Sequence, residues 1–86
     1  MGGIEIAKEF LNSLPDVKKD TPCVIIIQDK QIKLPSGKSA WKSKGAARSA
    51  FTNALGNVIG VRHPAMTRQV LEDEGFVKFK EARYET

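Results

Sequence analysis

Four residues near the middle of the chain, Ser36-Gly37-Lys38-Ser39, are of the types that hold phosphate. Glycine lets backbone amides approach an anion, and lysine brings the charge. A complete phosphate loop has another glycine five residues before the Gly-Lys pair, and Ile32 stands there. Pro35 removes one further amide. The string is therefore expected to be a turn, and nucleotide hydrolysis is not expected of it. A looser chemistry survives, in which a helix N-terminus beside Lys38, Lys42 and Lys44 holds a phosphate or another anion.

Trp41 lies among these lysines. A tryptophan beside cations can stack on a nucleobase. It can equally anchor the loop to the core. Both roles are open from the sequence. Lys33, Lys38, Lys42, Lys44 and Arg48, with Trp41, form the candidate site for nucleic acid or another anion. Six to eight phosphate contacts of this kind give steeply salt-dependent binding.

The remaining reactive side chains are isolated. His63 is the only histidine, has no cysteine or carboxylate companions nearby, and precedes Pro64, so a capping or surface role is expected. Cys23 is the only cysteine and opens an apolar run, as a small buried hydrophobe does. No serine sits in a nucleophile-elbow context. Glu72-Asp73-Glu74 falls at a helix C-terminal end, where the dipole disfavours acids. A solvated face is expected for it, with a contact to a basic group, on the chain's own positive face or on a partner, as the other reading.

Charge is segregated by sign along the chain. Residues 30–71 hold eight lysines and arginines and no acid, while all ten acids lie outside with the other six bases, so a net +4 conceals +8 against −4. Such a pattern suggests a basic face and an acidic partner. With 86 residues there is room for one small core. Apolar residues at 41% and charged residues at 28% suit a folded globular chain and not a disordered one. No apolar run approaches the roughly 20 residues of a membrane span, and the start lacks a signal-peptide pattern. Met1-Gly2 resembles a myristoylation start, but Ile6 stands where Ser or Thr is needed. A cytoplasmic location is the expectation.

These residues need elements to position them. Ile4, Ala7, Leu11 and Leu14, with Phe10 beside them, predict a helix over 4–14 that Pro15 stops. Residues 16–22 read as a polar connector. Residues 23–27, Cys-Val-Ile-Ile-Ile, predict a central strand apolar on both faces. A turn over 28–31, centred on Asp29-Lys30, joins it to a half-exposed strand over 31–34. Pro35-Ser36-Gly37-Lys38 predicts a β-turn. Ser39 or Ser43 caps the next helix, whose apolar stripe is Ala47, Ala50, Phe51, Ala54, Leu55 and Val58. Gly45, Ser49, Asn53 and Gly56 lie opposite, and Gly56-Asn57 or Gly60 ends it. A third helix starts at Pro64, turns Met66, Thr67, Val70 and Leu71 inward, pairs Arg68 with Glu72, and stops at Gly75. Residues 76–80 alternate as a last strand with Val77 and Phe79 inward, and residues 81–86 extend it or fray.

The segment 36–50, Ser-Gly-Lys-Ser-Ala-Trp-Lys-Ser-Lys-Gly-Ala-Ala-Arg-Ser-Ala, resembles small, mostly uncharacterised accessory proteins encoded by bacteriophages. In these an extended Gly-Lys segment leads through a tryptophan into a Gly-Ala-Ala-rich helix. The resemblance covers about a fifth of the chain and carries no catalytic residues over. It implies an accessory protein of the host cytoplasm.

The expected fold is α+β, a small basic domain over residues 1–86 in the order α-β-β-α-α-β. A three-stranded, mostly antiparallel sheet carries the helices on one face. The expected function is a non-enzymatic nucleic-acid-binding or regulatory accessory module, with a basic face around residues 33–48. Its partner is DNA or RNA, and no cofactor, metal or membrane is expected. The alternative is an interaction module or inhibitor that docks on an acidic surface of a host protein.

Overall fold

A computed structural model describes residues 3–17 and 23–81 of the chain. The elements follow the expected order: α1 (Gly3–Asn12), β1 (Cys23–Ile27), β2 (Lys30–Gln31), α2 (Lys44–Ala54), α3 (Pro64–Asp73) and β3 (Val77–Glu81). A π-helical turn, Leu55–Ile59, prolongs α2. The fold is α+β. Of the expected connector, residues 18–22 lie outside the described residues, as does the extension of β3 past Glu81.

The three strands form an antiparallel sheet in the order β2-β1-β3, so the most apolar strand is central. Pairing of Ile25 with Phe79 and of Ile27 with Val77 puts these side chains on one face. There they join one core cluster with Ala7 and Leu11 of α1, Phe51 of α2 and Leu71 of α3. Phe51 is wholly buried and meets Phe79 edge-to-face, with ring centroids 5.6 Å apart at 79°. Burying such a side chain contributes about 2–3 kcal/mol. The other face carries Val24, Ile26, Lys78 and Lys80. There Lys80 stands opposite Val24 and Lys78 opposite Ile26, so lysine stems run along aliphatic neighbours.

The hairpin turn lies one residue earlier than expected. Ile27 pairs with Lys30, so Gln28 and Asp29 are its central residues, with φ of 47° and 69°. Positive φ at both central positions is the type I′ pattern, which suits strand twist. Aspartate tolerates that region better than lysine does, and the shift leaves Lys30 extended, with its Nζ donating to the Asn12 carbonyl at 3.3 Å. The alternation expected over 31–34 holds beyond the short β2, since Ile32 and Leu34 are buried and Lys33 is exposed. The start of the supposed connector is part of the sheet. Val17 N–H donates to the Gln31 carbonyl at 2.8 Å and Lys33 N–H to the Pro15 carbonyl at 3.3 Å, so residues 15–17 line the outer edge of β2.

Two helix faces depart from the expected stripes. In the π turn, Gly60 N–H donates to the Leu55 carbonyl at 2.9 Å, five residues back. The wider ring shifts the phase of the helix. Val58 is therefore turned out, 50% exposed, and Ile59 packs on the core instead. Gly56, expected opposite the stripe, faces Pro64; a Cβ there would stand 3.0 Å from the proline Cγ. In α3, Thr67 and Leu71 are buried, Val70 is half-buried and Met66 is 64% exposed. The stripes 66/70 and 67/71 lie about 100° apart on a helix, and the core-facing sector of α3 is centred on the second, which leaves Val70 at its margin and Met66 outside it. Arg68 and Glu72, beside the 67/71 stripe, reach α2.

Candidate functional site

The loop between Leu34 and Trp41 is an excursion from the sheet. Leu34 N–H donates to the Lys38 carbonyl at 2.9 Å and Gly37 N–H to the Leu34 carbonyl at 2.8 Å, which closes the Pro-Ser-Gly turn. Gly37 has φ 97°, a conformation that L side chains rarely adopt. The chain returns at Trp41, whose N–H donates to the Cys23 carbonyl at 2.9 Å and so continues the sheet beside β1. Trp41 is only 5% exposed and belongs to the core cluster. Of its two open roles the structure takes the anchoring one, and the ring is not free to stack on a base.

The Gly-Lys-Ser string and the helix N-terminus are separate places. α2 begins at Lys44, and its N-cap is Ser43, whose Oγ accepts from Ala46 N–H at 3.2 Å. Ser39, the other capping candidate, is buried in the loop. The turn instead lies beside the far half of α2. Pro35, Ser36, Asn53 and Asn57 line a shallow depression of about 280 Å³ there, and no cation lines it.

The lysines behave alike. Lys33, Lys38, Lys42 and Lys44 are exposed, and none forms an ion pair among the described residues. Lys42 and Lys44 bracket the Ser43 cap. Lys33 stands on the open face of the sheet. By the register of the ladders, Lys33 and Lys80 flank Val24 on that face, two strand spacings apart or about 10 Å. Lys44 shares a depression of about 300 Å³ with Lys78. Lys78 and Lys80, also unpaired among the described residues, thus extend the basic surface. They escaped the sequence reading because they lie outside the acid-free stretch. Their signal was the alternation over 76–80, which turns them to the side opposite Val77 and Phe79.

Arg48 differs from the lysines. Its guanidinium carbon lies 5.5 Å from the centre of the Phe79 ring, and its Nε donates to Glu72 Oε2 at 3.3 Å. Arg68 Nη1 donates to the same oxygen at 2.7 Å. The acidic face expected at 72–74 is solvated at Asp73 and Glu74, both exposed, and its carboxylates are paired as well. Glu72 holds two arginines, Asp73 accepts from Gln69, and Glu74 Oε1 lies 2.7 Å from Lys8 Nζ. Two of the eight unopposed cations are opposed in space. The hydrogen bond to Glu74 raises the Lys8 pKa above the ordinary 10.5.

Cys23 is fully buried, and burial first, with Glu81 second, pushes its thiol up; nearby Lys44 and Arg48 oppose this only partly. A thiolate nucleophile is not favoured there. His63 is the N-cap residue of α3, exposed, and its side chain makes no capping bond. Among the described residues no group of three His, Cys, Asp or Glu is placed to hold a metal ion, and no helix is long and apolar enough to cross a membrane.

No protein-family model, curated protein or solved structure matches this chain.

Proposed function

We propose that the protein is a small nucleic-acid-binding or regulatory module that contacts phosphates through Lys33, Lys38, Lys42 and Lys44. One observation carries this reading. All four ammonium groups are exposed and free of ion pairs among the described residues, while Glu72 and Glu74 are engaged with other cations. Ammonium groups with no carboxylate to neutralise them are available to displace counterions from a phosphate backbone. With the Trp41 ring buried, the contact is electrostatic and tolerant of base sequence.

Fluorescence anisotropy of a labelled duplex or single-stranded oligonucleotide tests the reading. Four phosphate contacts give a log–log salt slope of about −3.6 on duplex and about −2.8 on a single strand. A fourfold rise in salt then weakens duplex binding by roughly 100-fold. Replacing Lys38, Lys42 and Lys44 by glutamine removes most of that slope. Absence of binding at low salt, or affinity indifferent to salt, overturns the reading.

A further inference from the structure

Three exposed lysines stand together on the face of the sheet that is turned away from the core. Register sets Lys33, Val24 and Lys80 in one row across that face, and Gln31, Ile26 and Lys78 in the next. Lys33 and Lys80 are thus about 10 Å apart, and Lys78 lies about 7 Å from Lys80 along β3. All three are exposed and form no ion pair among the described residues. Val24 and Ile26 are outside the core cluster, yet Val24 is buried and Ile26 half-buried, so the face offers charge rather than apolar area. A depression of about 450 Å³ lies there, lined by Ile26, Asp29 and the segment from Lys78 to Lys80. Asp29, at the hairpin turn, is its one carboxylate. Glu81 stands opposite Cys23 and so belongs to the core side.

We infer, resting on the nucleic-acid reading above, that this face seats double-helical DNA over its minor groove. That groove is roughly 6 Å wide and has a row of phosphates on each side. Lysines about 10 Å apart straddle it and reach both strands. A single strand lacks the second row and is held instead by stacking on aromatic rings. Among the described residues no ring serves for that: Trp41, Phe51, Phe76 and Phe79 are buried, and Phe10 packs against the core. Val24 and Ile26, between the lysines, have no side-chain donor or acceptor for base edges, so the contact positions the duplex without reading its sequence. An acidic protein surface fits less well, because the centre of a protein interface is apolar and this centre exposes little apolar area. Lys78 and Lys80 therefore add two phosphate contacts to the four proposed above.

Fluorescence anisotropy of a labelled DNA duplex, and of one of its strands alone, over a range of salt is the test. Six contacts give a log–log salt slope of about −5.4 on the duplex, where four give about −3.6. The duplex should bind roughly tenfold or more tighter than the single strand, and K78Q/K80Q should lower the slope by about 1.8 and weaken duplex binding by a similar factor. Asp29→Asn should strengthen it, and a small dicationic minor-groove ligand should displace the protein. An unchanged urea midpoint shows that each variant is folded. The inference is overturned if the slope stays near −3.6, if K78Q/K80Q binds the duplex unchanged, or if the single strand binds as tightly. It is equally overturned if the minor-groove ligand leaves the complex intact, if Asp29→Asn weakens binding, or if polyglutamate of equal charge competes as well as duplex. Each of these leaves the loop lysines as phosphate contacts, whereas absence of any DNA or RNA binding at low salt removes that reading together with this one.

Discussion

Arg48 and Arg68 share one carboxylate oxygen of Glu72, at 3.3 and 2.7 Å, whereas Lys38, Lys42 and Lys44 stand exposed with no ion pair among the described residues. All five come from the same acid-free stretch. Their difference comes from where the chain goes next. α3 returns beside α2 and brings Glu72 against Arg48, while the loop lysines face no returning segment among the described residues. Side-chain chemistry fits the division. A guanidinium tolerates partial burial, stacks on an aromatic ring as Arg48 does on Phe79, and presents several donors to one carboxylate. An ammonium is more strongly hydrated and stays in water. Charge that is unopposed along a sequence can thus be opposed in space, and only the lysine half remains available to a partner.

The division breaks most visibly at Glu72. Glu72→Gln keeps the shape but leaves two half-buried guanidinium groups without a counter-charge, and Arg68 Nε is already buried without a partner. A loss of about 1–2 kcal/mol in urea unfolding is expected, between the values for surface and buried pairs. A loss below about 0.3 kcal/mol would mean that the arginines are as indifferent as surface charges. Next in size is the counterpart on the lysine side. The triple variant K38Q/K42Q/K44Q should hold its stability within about 0.5 kcal/mol, and a larger drop in the urea midpoint would assign these lysines to the structure.

The smallest effect sharpens the paired side through pH. Lys8 has its pKa raised above 10.5 by Glu74, so the folded state holds that proton more tightly than the unfolded chain does. The contribution is fully present below the ordinary lysine value and is lost as pH rises through the raised one. Thermal melts of the protein and of Glu74→Gln should therefore differ slightly near neutral pH. The gap should close as pH passes 10.5. A gap that stays constant into strong alkali would place the effect of Glu74 elsewhere.

Much of the fold was legible because it rests on short-range patterns. The β-branched run 23–27 could only be a well-covered strand, and it is the centre of the sheet. Pro15, Pro64 and Gly75 marked helix limits by backbone chemistry that operates locally. The misreadings arose where a local pattern permitted two outcomes and a distant contact chose between them. Val58 and Ile59 are equally apolar, and the π turn that selects Ile59 is set where Gly56 closes on Pro64. Met66–Val70 and Thr67–Leu71 are equally spaced, and the Arg48–Glu72–Arg68 contact lies beside the second. The turn at Gln28-Asp29 was missed by one residue because neither it nor Asp29-Lys30 carries strong turn chemistry. At the candidate site, the lysines could be named from residue type and charge patterning, but their exposure, the engagement of Arg48 and the burial of Trp41 needed the third dimension.

The burial of Trp41 has an optical consequence. It is the sole tryptophan, 5% exposed, and its backbone is hydrogen-bonded to β1 at Cys23. Its ultraviolet emission therefore comes from an apolar, sheet-bound indole located where the basic loop rejoins the strands. The chain carries a built-in gauge of its own folded population. The lysines on either side of that indole can be exchanged while the gauge continues to read the packing beneath them.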